Sequence, residues 1–199
     1  MIERVGRLHH VLSAATGQGG QDEPGADIYA RLLHRRLVFL RQHINEQSAN
    51  LVLAQLLFLD RADSSAEIQL IISASSGEVY AALALYDTLQ QLQAPVRTGA
   101  SGLVGTYGAM LLAAGSSGRR YAQANATIHL HQLLTESPAH TRDLGRHAAQ
   151  LLRLRDQIVD LLARHTGQQP ERIRQDMVQD PFLTPAEAVG YGLVDDILA

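Results

Sequence analysis

The stretch "EIQLIISASSGEVYAALALYDTLQQLQAPVRTGAS", residues 67–101, decides the fold. It opens on a β-branched run that reads as a strand, crosses Ala74-Ser75-Ser76-Gly77 as a tight loop, and enters a helix that Pro95 ends, since proline cannot donate to the preceding turn. "VRTGAS" then starts a second strand, and "TYGAMLLAAG", residues 106–115, a second helix. Strand, short loop and helix in alternation predict a parallel or mostly parallel sheet with helices on its faces. In such folds the loops at the carboxyl ends of the strands carry the chemistry.

The same alternation extends in both directions. Upstream, "RLVFL" (36–40) reads as a strand and "NEQSANLVLAQLLFLDRA" (45–62) as a helix with apolar residues at helical spacing. Downstream, "RRYAQANATIHLHQ" (119–132) supplies another strand, and "LLTESPAH" (133–140) breaks the pattern. A long amphipathic helix follows, with Leu144, Ala148, Leu151, Leu154, Ile158 and Leu161 on one face and Gly167 as its stop. Thr184-Pro185-Ala186-Glu187 is a capping box with proline at the first helical position. Residues 1–26, rich in Gly, Gln, Ser and Pro towards their end, read as a flexible arm or axial loop, and residues 27–199 as a single domain.

Composition removes several classes of function. The chain has 199 residues, 46% of them hydrophobic, enough to bury one core. Its formal net charge is −3, with no sustained basic stripe, so nucleic acid is not an expected partner. The absence of cysteine excludes disulfides, thiolate zinc sites and a cysteine nucleophile. No apolar run has the length of a membrane span or the form of a secretory signal, and a cytoplasmic protein is expected.

Thr106 stands where a glycine cluster meets an apolar helix. Threonine is a common helix N-cap, and that reading is sufficient for its position. A strand-to-helix turn also exposes a hydroxyl beside free backbone amides, the geometry that a nucleophile and its oxyanion hole require. A base is then needed, and His129 and His131, two apart in a strand, share a face. No carboxylate lies near them in sequence to complete a zinc site, so no metal is expected. Asp176 and Asp180 are both candidate orienting acids, and spacing does not choose between them. Ala74–Gly77 has the look of a small anion nest, but neither it nor "GLVGTYG" has the spacing of a nucleotide-binding loop.

The order of "DIYARLL", "RLVFL", "ANLVLAQLLFLD", "ALALYDTLQ", "GAMLLAAGSSGRRYAQANATIHLHQ", "RHTGQQPERI" and "PAEAVGYGLVDDIL" resembles the proteolytic subunit of the Clp (caseinolytic) protease from Asp27 to the C-terminus. The resemblance implies a crotonase-like α/β fold with a mostly parallel sheet, flanking helices and a strand-helix handle. It also implies stacked heptameric rings that enclose a chamber for unfolded polypeptides, fed by an AAA+ unfoldase whose ATP is the partner's cofactor and not this chain's. The family's nucleophile falls on Thr106, its histidine on His131 and its aspartate on Asp180, at the family's intervals. Gly77 and Tyr107 match the oxyanion-hole amides, and Leu133, Leu134, Thr135 and Glu136 the start of the handle.

The departures from the family pattern are as informative. Threonine replaces the nucleophilic serine, and its methyl restricts the rotamer. Ser75-Ser76-Gly77 replaces a proline and two glycines, Tyr107 a methionine, Leu133 a proline, and Thr135-Glu136 a glycine pair. Gln69, Ile71 and Gln91 occupy unfoldase-docking positions that are aromatic in the family, which predicts weak direct docking. Two functions follow from the resemblance: an endopeptidase with an attenuated Thr-His-Asp triad, or a silent structural or regulatory subunit, including an inhibitor-resistance subunit, paired with an active sibling.

Overall fold

The computed structural model describes residues 24–132 and 144–198. Helix α1 (Pro24–His34) leads into strand β1 (Leu37–Ile44), and α2 (Glu46–Ala62) into β2 (Ile68–Gly77). Helix α3 (Val79–Gln91), β3 (Val96–Ala100), the short β4 (Leu103–Val104) and α4 (Thr106–Ala113) follow. Strands β5 (Arg120–Gln123) and β6 (Thr127–His129) precede α5 (Leu144–Thr166), α6 (Pro170–Gln179), β7 (Phe182–Leu183), α7 (Pro185–Tyr191) and β8 (Asp196–Leu198). Helix α1 starts at Pro24, and residues 1–23, which include most of the expected arm, lie outside the described residues.

Five strands in the order β1-β2-β3-β5-β8 form an all-parallel sheet, and β4-β6-β7 a smaller one in which only β6 and β7 run antiparallel. This is the mixed α/β, mostly parallel architecture that the alternation predicts. In β2 the buried residues Ile68, Leu70, Ile72 and Ala74 fall on one face at period two. Every residue of α4 is buried, so the apolar run "AMLLA" is the central helix of the core rather than a surface stripe.

Three local expectations change. The Ala74–Gly77 segment is the end of β2 instead of a loop, because β1 stays paired with it as far as Ile44 and Gly77 across an irregularity at Gln42, whose φ is 65°. Residues 119–132 make two strands in two sheets, since the chain turns at Gln123–Ala126 and Thr127 then bonds the Gly102 carbonyl at 2.8 Å. Thr106 does not cap α4: the N-cap is Gly105, and Thr106 is the first helical residue. The glycine is needed there because a Cβ would lie 2.1 Å from the Ser75 carbonyl oxygen.

The helix ends behave as the sequence indicates. Gly167 adopts φ 73° after α5. Thr184 accepts from the Glu187 amide at 3.3 Å while the Glu187 carboxylate accepts from the Thr184 amide at 2.7 Å. Arg120 closes the molecule, donating to the carbonyls of Ala113, His165 and Gly192 at the ends of three helices and to the Asp195 carboxylate. No helix among the described residues is long and apolar enough to cross a membrane.

Candidate active site

Thr106 sits at the head of α4, directly beyond β4, and is fully buried, with 0% of its surface exposed. Its Oγ1 donates to the His131 carbonyl and accepts from the His131 amide, both at 2.8 Å. The contact between Thr106 and His131 therefore runs through the histidine's backbone. Its imidazole Nδ1 instead faces the Gln132 carbonyl at 2.8 Å. With Nδ1 as the donor in that bond, Nε2 keeps its lone pair. Nε2 lies next to Gly105, 3.0 Å from where a Cβ on that glycine would be.

Asp180 reaches the same corner from the other side. It ends α6 in the left-handed region, φ 60° and ψ 47°, with its amide bonded to the Asp176 carbonyl at 2.9 Å. Its carboxylate meets Nε2 of His129, not His131, at 2.7 Å. The His129 ring is stacked on Phe182 with centroids 3.9 Å apart and planes 9° from parallel, and its centroid is 5.0 Å from that of His131. His131 lies two residues past the end of β6 and its ring stays on the same side of the chain as that of His129, with the fully buried Leu130 between them. Asp176, the alternative acid, is engaged elsewhere: its Oδ2 accepts from the Tyr191 hydroxyl at 2.7 Å.

Gly77 closes β2 beside Ile44, and Tyr107 is the second residue of α4, so its amide belongs to the helix's first turn, where N–H groups lack an intrahelical acceptor. The Tyr107 ring is buried, which pushes its phenol up to about 12. It forms one wall of a cavity of about 400 Å³ that begins at Tyr107 and Gln132 and continues between α5 and α6. Leu151, Leu154, Met177 and Val178 give that cavity an apolar lining, and Arg155 and Arg174 stand at its side. The handle positions Leu133, Leu134, Thr135 and Glu136 lie outside the described residues.

Of the positions matched to unfoldase docking, Gln69 and Ile71 lie on the face of β2 opposite buried Ile68, Leu70 and Ile72, and Gln91 ends α3. Gln69 donates from Nε2 to the Tyr121 hydroxyl at 2.7 Å. The Tyr121 ring lies across Gly99, where a Cβ would come within 2.3 Å of it, and Arg97 stacks over the ring at 4.7 Å. Ile71 pairs with Phe39, whose ring meets Tyr29 edge-on at 6.2 Å, and Gln91 is exposed at the end of α3. Two pairings here escape sequence reasoning. Tyr121 comes beside Gln69 only through the β2-β3-β5 strand order, and His129 takes Asp180 only through the pairing of β6 with β7.

The small β4-β6-β7 sheet thus brings a helix-head hydroxyl, two histidines and a carboxylate to one corner, with Tyr107 and Gln132, the chain neighbours of Thr106 and His131, lining the apolar cavity beside it. The family model for Clp protease matches residues 20–199, and the chain belongs to the Clp protease family. Membership makes its class that of a Clp-type peptidase, a hydrolase. Members of the family generally assemble into rings that work with unfoldase partners.

Proposed function

We propose that this chain is a proteolytic subunit of an ATP-dependent Clp-type protease in the cytoplasm, an endopeptidase whose Thr106, His131 and Asp180 serve as nucleophile, general base and orienter. The reading rests on one observation: the Thr106 hydroxyl is bonded to the His131 backbone at 2.8 Å, and their chain neighbours Tyr107 and Gln132 line the cavity. In the reaction, Thr106 Oγ1 attacks the scissile carbonyl carbon as its proton passes to His131 Nε2. The amides of Gly77 and Tyr107 receive the oxyanion. His131 then protonates the leaving amine, and water, deprotonated by the same imidazole, hydrolyses the Thr106 ester.

The described geometry is a resting one. Attack requires the Thr106 side chain to leave the His131 backbone and the His131 ring to leave the Gln132 carbonyl. Misplacement of about 1 Å can cost ~100-fold in rate, so slow turnover is expected from this arrangement. Subunits associate in heptameric rings, stacked in two, with unfolded polypeptides as substrates and an AAA+ unfoldase as the consumer of ATP. The Gln69 and Gln91 side chains favour weak docking of that unfoldase, with a sibling ring as the stronger site.

A second reading is favoured by the full burial of Thr106 and the saturation of its hydroxyl by backbone groups. In it the chain is a silent structural or regulatory subunit of a mixed particle. Mass spectrometry after exposure to an activated peptide ester separates the two. The peptidase acquires an acyl group on Thr106 that disappears in His131→Ala, whereas a silent subunit remains unlabelled at residue 106.

A further inference from the structure

His129 has no part in the reaction just described, yet it holds the one carboxylate that the reaction needs. We propose that His129 is a competing partner for Asp180, a positioning residue that keeps the carboxylate off His131 and the site uncoupled. The inference rests on the assignment of His131 and Asp180 to the peptidase site, and it names what regulates their coupling.

Four features of the corner carry it. His129 ends β6 and His131 follows two residues later with its ring centroid 5.0 Å from that of His129, so a single carboxylate beside them has two imidazoles to choose from. The choice is biased by register: β6 and β7 pair antiparallel with His129 opposite Phe182, two residues past Asp180, and the Leu130 amide bonds the Pro181 carbonyl at 3.1 Å. The Phe182 ring stacked on His129 holds that imidazole with Nε2 aimed at the Asp180 carboxylate, 2.7 Å away. Finally, His131 Nδ1 is turned to the Gln132 carbonyl, so it presents no donor to Asp180. A backbone carbonyl thereby holds the place at Nδ1 where a triad needs a carboxylate.

The side chains present different exposures to solvent. His129 is 18% exposed and Asp180 57%, so the carboxylate can swing while the histidine is clamped. Coupling the site then requires two linked moves: Asp180 leaves His129, and the His131 ring rotates from Gln132 to meet it. Substrate entering the cavity beside Gln132 is placed to drive the second move.

Two substitutions separate the hydrogen bond from the packing. His129→Phe keeps an aromatic ring on Phe182 and removes the donor, while His129→Gln keeps a donor for the carboxylate. In crystal structures of the assembled protein, Asp180 is expected within hydrogen-bonding distance of His131 Nδ1 in His129→Phe, and still on residue 129 in His129→Gln. Peptide turnover is expected to rise about tenfold in kcat for His129→Phe, with KM within about twofold, and to stay at the native rate for His129→Gln; this is a small part of the ~10⁴-fold that a triad aspartate can supply. Asp180 remaining away from His131 in a folded His129→Phe protein would overturn the proposal. Transfer of Asp180 to His131 without any turnover supports it and counts instead against Thr106 as the nucleophile.

Discussion

The two readings proposed above part at Thr106, over a single methyl group and two hydrogen bonds. Serine in the same place loses the β-branch that limits χ1, so its hydroxyl can leave the His131 backbone more readily. The neighbouring Gly105 is just as constrained, between the Ser75 carbonyl and the His131 ring. Gly105→Ala is expected to destabilise the fold by at least about 2 kcal/mol, because the obstructing atom is backbone and cannot rotate away. Chemical denaturation checks this, and an unchanged midpoint would mean that β4 and β2 are less closely apposed than described. Residue type and position single out Thr106 and leave both His129 and His131 open as its base, with only the family resemblance pointing to His131, and spacing cannot tell which of the two histidines an aspartate will choose. That choice is made by a two-residue strand, Phe182–Leu183, too short to have a periodicity of its own.

Among the elements, the ends of α4, α5 and α7 converge on Arg120, whose guanidinium satisfies carbonyls from all three and lies against Asp195. Arg120→Met keeps the stem and strands those acceptors, and is expected to cost about 3–5 kcal/mol in urea denaturation. The Arg120 hydrogen bond holds the Asp195 carboxyl below the usual carboxylate range. A lowered acid contributes stability above its unfolded value of about 3.9 that is lost as pH falls through the folded value, so the difference between native and Arg120→Met proteins should shrink below about pH 4.

His165, also at the end of α5, provides a second pH window. Burial, and then the Arg164 and Arg120 charges, lower its pKa below the ordinary 6.5, while its Nε2 meets the Tyr86 hydroxyl at 2.8 Å. Below about pH 6.5 the unfolded chain binds a proton that the folded chain resists, so stability should fall as pH drops from 7 towards 5. His165→Gln should flatten that dependence in thermal melts, and a slope unchanged by the substitution would place the titrating group elsewhere. The main helices and strands were legible in the sequence because periods of 2 and 3.6 differ clearly over eight or more residues. The division of residues 119–132 between two sheets was not legible, since strands of three or four residues are defined by their partners.

For the whole molecule, the small β4-β6-β7 sheet carries Thr106, His131 and Asp180 just beyond or before its strands, while the face of β2 in the central sheet that bears Gln69 and Ile71 points elsewhere. On the proposed function, catalysis and recruitment would sit on separate surfaces, so a changed nucleophile and changed docking positions could arise independently. The family was legible from the order of its motifs, and the state of the site was not, because that depends on side-chain choices within a few ångströms. The central claim, that Thr106 is a working but restrained nucleophile, is tested most directly by turnover of a fluorogenic peptide by the assembled native protein, Thr106→Ala and Thr106→Ser. The account predicts slow native turnover, none above background in Thr106→Ala, and a rate at least about tenfold higher in Thr106→Ser. Native turnover that survives in Thr106→Ala, or a Thr106→Ser protein as inert as Thr106→Ala, would contradict it.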